Sequence, residues 1–306
     1  MSLSYQQKPG AGGEFATYVD RTVAARGEVF WVDSNHTNAS DITSRGHHPD
    51  VPFATIDYAI GQCTASTNSV IFAMPGHAES VIAAQGLDFD VIGVTLIGLG
   101  DGGKIPTVTL GTANTATVEV NAVDVTIENI KFISDIADLA VGIDVKAASD
   151  GFTFRNNWVT DGAVAKEMVI GLTIEASAQN FLIEGNRFHT VVAGGCTSAI
   201  ILEGATTDGR IIGNTIMGDW SGAAIAASVA AGVNLVIAEN TVNQADAGAG
   251  LGINCHAGTT GAIVNNRVLN AKDTVVGVVG AAMLVSENYC SNAAGASGII
   301  LPAVDS

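Results

Sequence analysis

Six asparagines recur down the C-terminal two thirds of the chain, each at the same place in one short phrase. The phrases are FTFRNNWV (152–159), FLIEGNRF (181–188), GRIIGNTI (209–216), LVIAENTV (235–242), GAIVNNRV (261–268) and MLVSENYC (283–290). Asn157, Asn186, Asn214, Asn240, Asn266 and Asn288 follow one another at steps of 29, 28, 26, 26 and 22 residues. An earlier copy, VTIENIKF (125–132), carries Ile130 in the asparagine slot. Periods of this length mark stacked repeats. Each phrase alternates with period two and breaks at the asparagine, so it reads as a short strand ending in a corner. Such a strand cannot bury its apolar side alone; stacked copies bury a continuous core. Asparagine tolerates the left-handed backbone that a sharp corner needs. Its amide also reaches the amide of the next coil, about 4.8 Å away, which makes a ladder. The expected fold is all-β: a right-handed parallel β-helix of about eight to ten coils, roughly 40–50 Å long.

A second strand is expected between consecutive phrases, in GIDVKAA (142–148), GLTIEAS (171–177), AIILEGA (199–205), AAIAASV (223–229) and LGINCHA (251–257). Ile143, Val145, Leu172, Ile174, Ile200 and Leu202 then point inward and alternate residues outward. NSVIFAMPGH (68–77) and GVTLIGLG (93–100) read as the first two coils, and GIILPAV (298–304) as the closing turn. Three regions follow. Residues 1–28 form an N-terminal arm for attachment or subunit contact, with a short helix in EFATYVDRTVAARGE. Residues 29–67 hold a strand (EVFWVD), a long loop and an amphipathic helix starting near Pro52. Residues 68–306 are the β-helix. Phe53, Ile56 and Ile60 make the helix's apolar face. An open solenoid end exposes core and sheet edges, so this helix is expected to cap it, with Trp31 packed beneath.

Hydrophobic residues make up 47% of the chain and charged ones 14%, with 36 glycines. Low charge and abundant small residues suit a tightly stacked rod with surface buried against partner chains, so an oligomer is expected. The net charge of −17 argues against binding nucleic acid or anionic membranes, which use basic patches. No run of eighteen apolar residues suggests a membrane span. The N-terminus lacks the apolar stretch of a secretion signal. Cys63, Cys196, Cys255 and Cys290 show no paired spacing and are expected to be free thiols, the last two in inward slots.

Several constellations are candidate sites. Lys146, Glu175, Glu203, Ser228 and His256 fall at equivalent outward positions of successive second strands. Glu175 and Glu203 would lie about 5 Å apart, the spacing of a retaining glycosidase pair, with His256 as a helper. The alternative is a solvated face on which Lys146 neutralises its neighbour. His36, His47, His48, Asp33, Asp41 and Asp50 match no zinc spacing and predict no metal. His77 reads as a turn residue packing on the first coil, GLGDGGK (98–104) as an inter-coil loop, and Asp135, Asp138 and Asp161 as solvent-facing turn residues. Trp158 and Trp220 follow asparagine corners and would mark a subunit contact or a sugar-stacking surface.

The run FWVDS (30–34), a polar loop, PFATIDYAI (52–60) and a strand entering the first coil resemble the entrance of pectin-lyase-like β-helix proteins. VIFAMPGHAESV, VIGVTLIGLGDGGKIPTVTL and NAVDVTIENIKFIS resemble β-helix proteins of tailed bacteriophages. That resemblance implies a trimeric virion component, such as a capsid decoration protein bound to the major capsid protein or another virion protein. It would be assembled in the host cytoplasm and would need no cofactor. Pectate lyases of this superfamily use clustered Asp ligands for calcium with an Arg or Lys base, but Arg155, Arg187 and Arg267 have no Asp column beside them. The N-T-D, D-D, G-H-G and R-I-K motifs of polygalacturonases are absent. The expectation is a non-catalytic structural protein. A tailspike-like polysaccharide hydrolase or lyase and a glycan-binding module are the alternatives.

Overall fold

The computed structural model describes residues 27–163, 165–190, 196–246, 250–270, 277–292 and 297–300. Most of the arm expected at 1–28 lies outside these. The chain winds as an all-β parallel solenoid with three sheets of ten, eight and ten strands, designated A, C and B respectively. Each circuit runs A, B, C. The eight strands of sheet C are therefore joined by seven full circuits, about seven turns. Among the described residues the only α-helix is α1, Ile56–Gln62, and it is not long and apolar enough to cross a membrane.

The repeat contains three strands where two were expected. Thr153–Arg155 in sheet A ends at Asn156, and Trp158–Asp161 begins sheet B immediately afterwards. One phrase thus spans two sheets. The left-handed residue at this corner is not the ladder asparagine but the one before it: Asn156, Gly185, Gly213, Glu239, Asn265 and Glu287 have φ of 55–66°. This corrects the conformational role given to the asparagines. Their own backbone is free to enter the next strand, while their side chains turn inward. A second left-handed corner precedes sheet A at Asp124, Gly151, Asn180, Asp208 and Asn234. Asn234 Nδ2 there donates to Asp208 Oδ1 on the coil below at 2.6 Å.

The six ladder asparagines are 0–1% exposed. The Oδ1 of Asn186 accepts the Asn157 N–H at 2.8 Å, and that of Asn214 accepts the Asn186 N–H at 2.9 Å. The same pattern continues through Asn240, Asn266 and Asn288. Each Nδ2 donates to a carbonyl one coil back, such as Phe154 for Asn186 and Ile183 for Asn214. The inward residues Ile143, Val145, Leu172, Ile174, Ile200 and Leu202 are all buried in one core cluster. The ladder thereby satisfies backbone groups that a corner takes out of the sheets, where burial without partners is costly.

At the N-terminal end, Val29–Val32 is the edge strand of sheet A. Trp31 N–H donates to Gly46 O, and Phe53 N–H donates to Trp31 O, so the 33–53 loop covers that edge. Helix α1 starts at Ile56 rather than near Pro52, because Phe53 is held extended in a bridge to Val32 and Thr55 is the N-cap. Phe53, Ile56 and Ile60 are all buried in the main core. Asp41 organises the approach by accepting from Ala54 N, Thr55 N and Thr55 Oγ1. Trp31 does not pack beneath the helix; it lies on the outer face of sheet A against Phe72. At the other end, Ser297–Ile300 pairs antiparallel with Asn288–Asn292, so it folds back along sheet B and is not another parallel rung.

Candidate functional site

Charged side chains gather on the outer face of sheet C in its first coils. The register pairs Asp88 with Glu119 and Glu119 with Asp144. Two residues further along the same strands, pairing of Val145 with Ile174 and of Ile174 with Leu202 brings Lys146, Glu175 and Glu203 onto successive rungs. The face is therefore two parallel rows of outward residues. The sequence reading found only the second row. The first was legible in the i, i+2 pairs Asp88–Asp90, Glu119–Asn121 and Asp144–Lys146, because alternate strand residues share a face.

Lys146 is the hub. Its Nζ lies 2.6 Å from Asp144 Oδ2, 3.0 Å from Glu175 Oε1 and 3.8 Å from Glu119 Oε2. Glu175 Oε2 also accepts the Ala147 N–H at 3.2 Å. Glu119 is nearly buried, and its Oε1 accepts from Gln85 Nε2 and Asn121 Nδ2, both at 2.8 Å. Asn121 also donates to Asp88 Oδ1 at 2.9 Å. His256 stands two rungs beyond Glu203, and its Nδ1 accepts from Gly258 N in its own turn, so the ring does not join the glutamates.

Burial pushes the Asp144 carboxyl up, and the Lys146 hydrogen bond only partly offsets it. Glu203 is raised by burial first, then by the Asp144 and Glu175 carboxylates. Asp57 and Asp88 are raised for the same leading reason. Burial works to lower the Lys146 ammonium, but its hydrogen bonds to Asp144 and Glu175 outweigh that and hold it above the ordinary value. A carboxyl whose folded pKa exceeds its unfolded one favours folding in its protonated form, so its contribution is lost as pH rises through that range. The expected result is a melting temperature that rises as pH is lowered from neutral toward the upper carboxylate range. In the Lys146→Met variant the rise should be steeper, because several half-buried carboxylates lose their shared cation. Thermal melts at stepped pH measure both.

The remaining candidates have structural partners. Among the described residues, no group of three or more His, Cys, Asp or Glu gathers to hold a metal. His47 packs against Phe30 with ring centres 5.1 Å apart and planes tilted by 44°, and the Nδ1 atoms of His36 and His48 accept loop N–H groups. His77 is fully buried; its Nδ1 accepts Ser34 N at 3.0 Å and its Nε2 faces Glu79, which caps Ile56 N. Residues Gly102–Lys104 of GLGDGGK make one 3₁₀ turn. Asp135 pairs with Lys166 and Asp138 is exposed. Asp161 is buried, not solvent-facing, because its carboxylate accepts from Met168 N and Thr190 Oγ1 on the B-to-C corner. Arg155 reaches Glu128 at 2.8 Å.

Burial lifts the thiols of Cys63, Cys196 and Cys255 to about 12 and that of Cys290 to about 11, which keeps them protonated and unreactive at neutral pH. Cys290 is only half-buried. Trp220 is 3% exposed and so offers no platform to a sugar. Trp158 lies between Lys131 and Arg187 on neighbouring rungs, with the cations 4.4 and 4.9 Å from its ring centre. Two cations thus already lie over the indole in cation–π contacts, and they compete with any sugar that would stack on it.

The fold and this face define the chain as a parallel β-solenoid with a charge-paired outer surface. No protein-family model matches the chain, and no curated protein matches it in sequence. Two solved structures are similar. One is a GH136 lacto-N-biosidase from Eubacterium ramulus, with a TM-score of 0.52 and 11% identity over 90% of this chain. This chain spans 62% of that protein's length. The other is PfbA, a surface adhesin of Streptococcus pneumoniae, with a TM-score of 0.31, 11% identity, and coverage of 89% of this chain and 80% of that one. The first likeness shows the solenoid fold alone, and a shared fold does not carry an activity.

Proposed function

We propose that the chain is a non-catalytic structural protein, a homotrimeric rod that decorates a tailed-phage capsid by binding the major capsid protein or another virion protein. Its winding is right-handed, the hand parallel crossovers adopt, with strands stacked eight to ten deep in each sheet. Helix α1 acts as the N-terminal cap. The observation that carries this reading is the sharing of Lys146 among Asp144, Glu175 and Glu119. Carboxylates neutralised in this way make a stable polar face, not a poised acid and base. The likeness of VIFAMPGHAESV and its neighbouring segments to phage β-helix proteins supports the virion assignment. Assembly is supported by exposed apolar side chains. Of the nine large ones among the described residues, Val229, Val233, Leu269, Val279, Leu284 and Tyr289 cluster in the last part of the chain. Light scattering on the gel-filtered full chain is expected to give a trimer mass at micromolar concentration, reduced by Leu284→Lys with Tyr289→Lys. A monomer at that concentration would refute the reading.

One observation favours a second reading, a polysaccharide hydrolase or lyase. Glu203 is held toward its protonated form beside Glu175, one rung away and so about 5 Å distant, which suits a general acid. Incubation with acidic polysaccharides decides between the two. Product release that Glu203→Gln abolishes would replace the structural reading with this one.

A further inference from the structure

Sheets B and C carry opposite charge on their outer faces. In Lys131–Ser134, Trp158–Asp161 and Arg187–His189, the second residues Phe132, Val159 and Phe188 are buried in the core. Strand alternation therefore points Lys131, Trp158 and Arg187 outward, on one row. The row continues through Arg267 to Tyr289. Neither it nor the parallel outward row from Ile133 to Leu269 contains an Asp or Glu. Among the described residues Lys131 and Arg187 form no ion pair; both cations rest over the Trp158 ring. A chain of net charge −17 thus leaves this face positive.

The outer face of sheet C is the reverse. Lys146 reaches Glu119, Asp144 and Glu175, while Glu203 is exposed and forms no ion pair among the described residues. The face stays negative. Each B strand runs on into the C strand of its own coil: Lys131–Ser134 into Leu139–Val145, Trp158–Asp161 into Met168–Ile174, and Arg187–His189 into Ser198–Leu202. The coils that are cationic on sheet B are therefore the coils that are acidic on sheet C. Apolar exposure matches in the same way. Arg267–Asn270 leads into Val278–Val279, and Leu269 on the first and Val279 on the second are 47% and 38% exposed.

We propose that the outer face of sheet B docks on the outer face of sheet C of a second copy, setting Lys131 and Arg187 against Glu175 and Glu203, and Leu269 against Val279. This rests on the homotrimer reading and adds which faces meet. Copies in a closed ring of parallel rods are related by rotation without rise, so equal coils meet at equal height. Charge then opposes charge in the early coils, and apolar side chains meet in a late one. Sheet B against sheet B, or C against C, would set like charges together at a cost. A contact from B to C is head-to-tail, the kind that closes into a ring.

The test uses the full chain, with dissociation read by analytical ultracentrifugation and folding by far-UV circular dichroism. Arg187→Glu is expected to weaken the trimer at least about tenfold. Adding Glu203→Arg to it should restore the trimer to within about threefold of the starting affinity, because the exchanged charges attract again. Lys131→Glu probes the same face should Arg187→Glu fail to fold, with the same weakening expected. A trimer indifferent to these reversals, or a weakening that Glu203→Arg does not relieve, would overturn the docking and leave the homotrimer standing. A monomeric unaltered chain would overturn both.

Discussion

Asn214→Ala is expected to lower stability by about 3–5 kcal/mol, since it strands buried polar groups on both neighbouring coils. Asn214 Oδ1 accepts from Asn186 N and Asn186 Nδ2, at 2.9 and 3.0 Å. Its Nδ2 donates to Ile183 O at 2.9 Å and to Asn240 Oδ1 at 3.0 Å. Truncation removes the acceptor for a backbone N–H and the donor for a backbone carbonyl, at a position water does not reach. Asn214→Asp separates these two losses. The carboxylate still accepts from Asn186 but faces Ile183 O and Asn240 Oδ1 with lone pairs. Its folded pKa is therefore raised, and the damage should lessen as pH falls and the protonated carboxyl becomes a donor. Urea unfolding of both variants at neutral and acid pH measures this. If Asn214→Ala costs less than about 1 kcal/mol, the ladder is ornamental and the corner is held by the sheets alone.

Gly261→Ala should cost about 3–5 kcal/mol by a different route, combining backbone strain with overpacking. Gly261 has φ +129°, and a Cβ there would stand 2.0 Å from Leu235 O and 2.6 Å from Leu235 N. Both obstacles are backbone, so neither can swing aside. A solenoid's coils contact only their neighbours, so the loss should be local: the end beyond Leu235 unfolds first and the denaturation curve splits in two. Hydrogen exchange would locate the first step, with Arg267–Asn270 losing protection while Thr153–Arg155 keeps it. A single cooperative transition of unchanged midpoint would refute the steric account. Gly209 fills the same slot two coils earlier, where a Cβ would meet the Phe181 ring at 2.1 Å. The first position of that phrase holds no side chain because a large neighbour fills the space: Phe181 lies over Gly209.

Much of the candidate site was legible because strand alternation places every second residue on one face. That rule alone puts Lys146, Glu175 and Glu203 on one line, as the register does. It does not say which side chain reaches which. Lys146 bends back to Asp144, Glu175 and Glu119 together, a choice set by distance and burial around its Nζ. His256 shares the line but turns into its own turn. Trp220 and Asp161 misled as surface residues for a related reason. Each sits where sheet B turns toward sheet C, and the local sequence there does not reveal which side chains the next coil covers.

The repeat of apolar alternation and asparagine determined, without any coordinates, that this chain stacks into a parallel solenoid with an amide ladder. A period-two strand too short to bury itself has no other partner than its own next copy. Tertiary structure alone decided that each phrase bends across two sheets, with the left-handed residue one place before the asparagine. It also decided which carboxylates share Lys146, and that Val70, Phe72 and Ile97 are buried in a cluster apart from the main core. Those outcomes depend on what lies one coil away in space, between 22 and 32 residues distant along the chain in the ladder. Local pattern fixes the direction of a side chain, but only packing fixes what it meets.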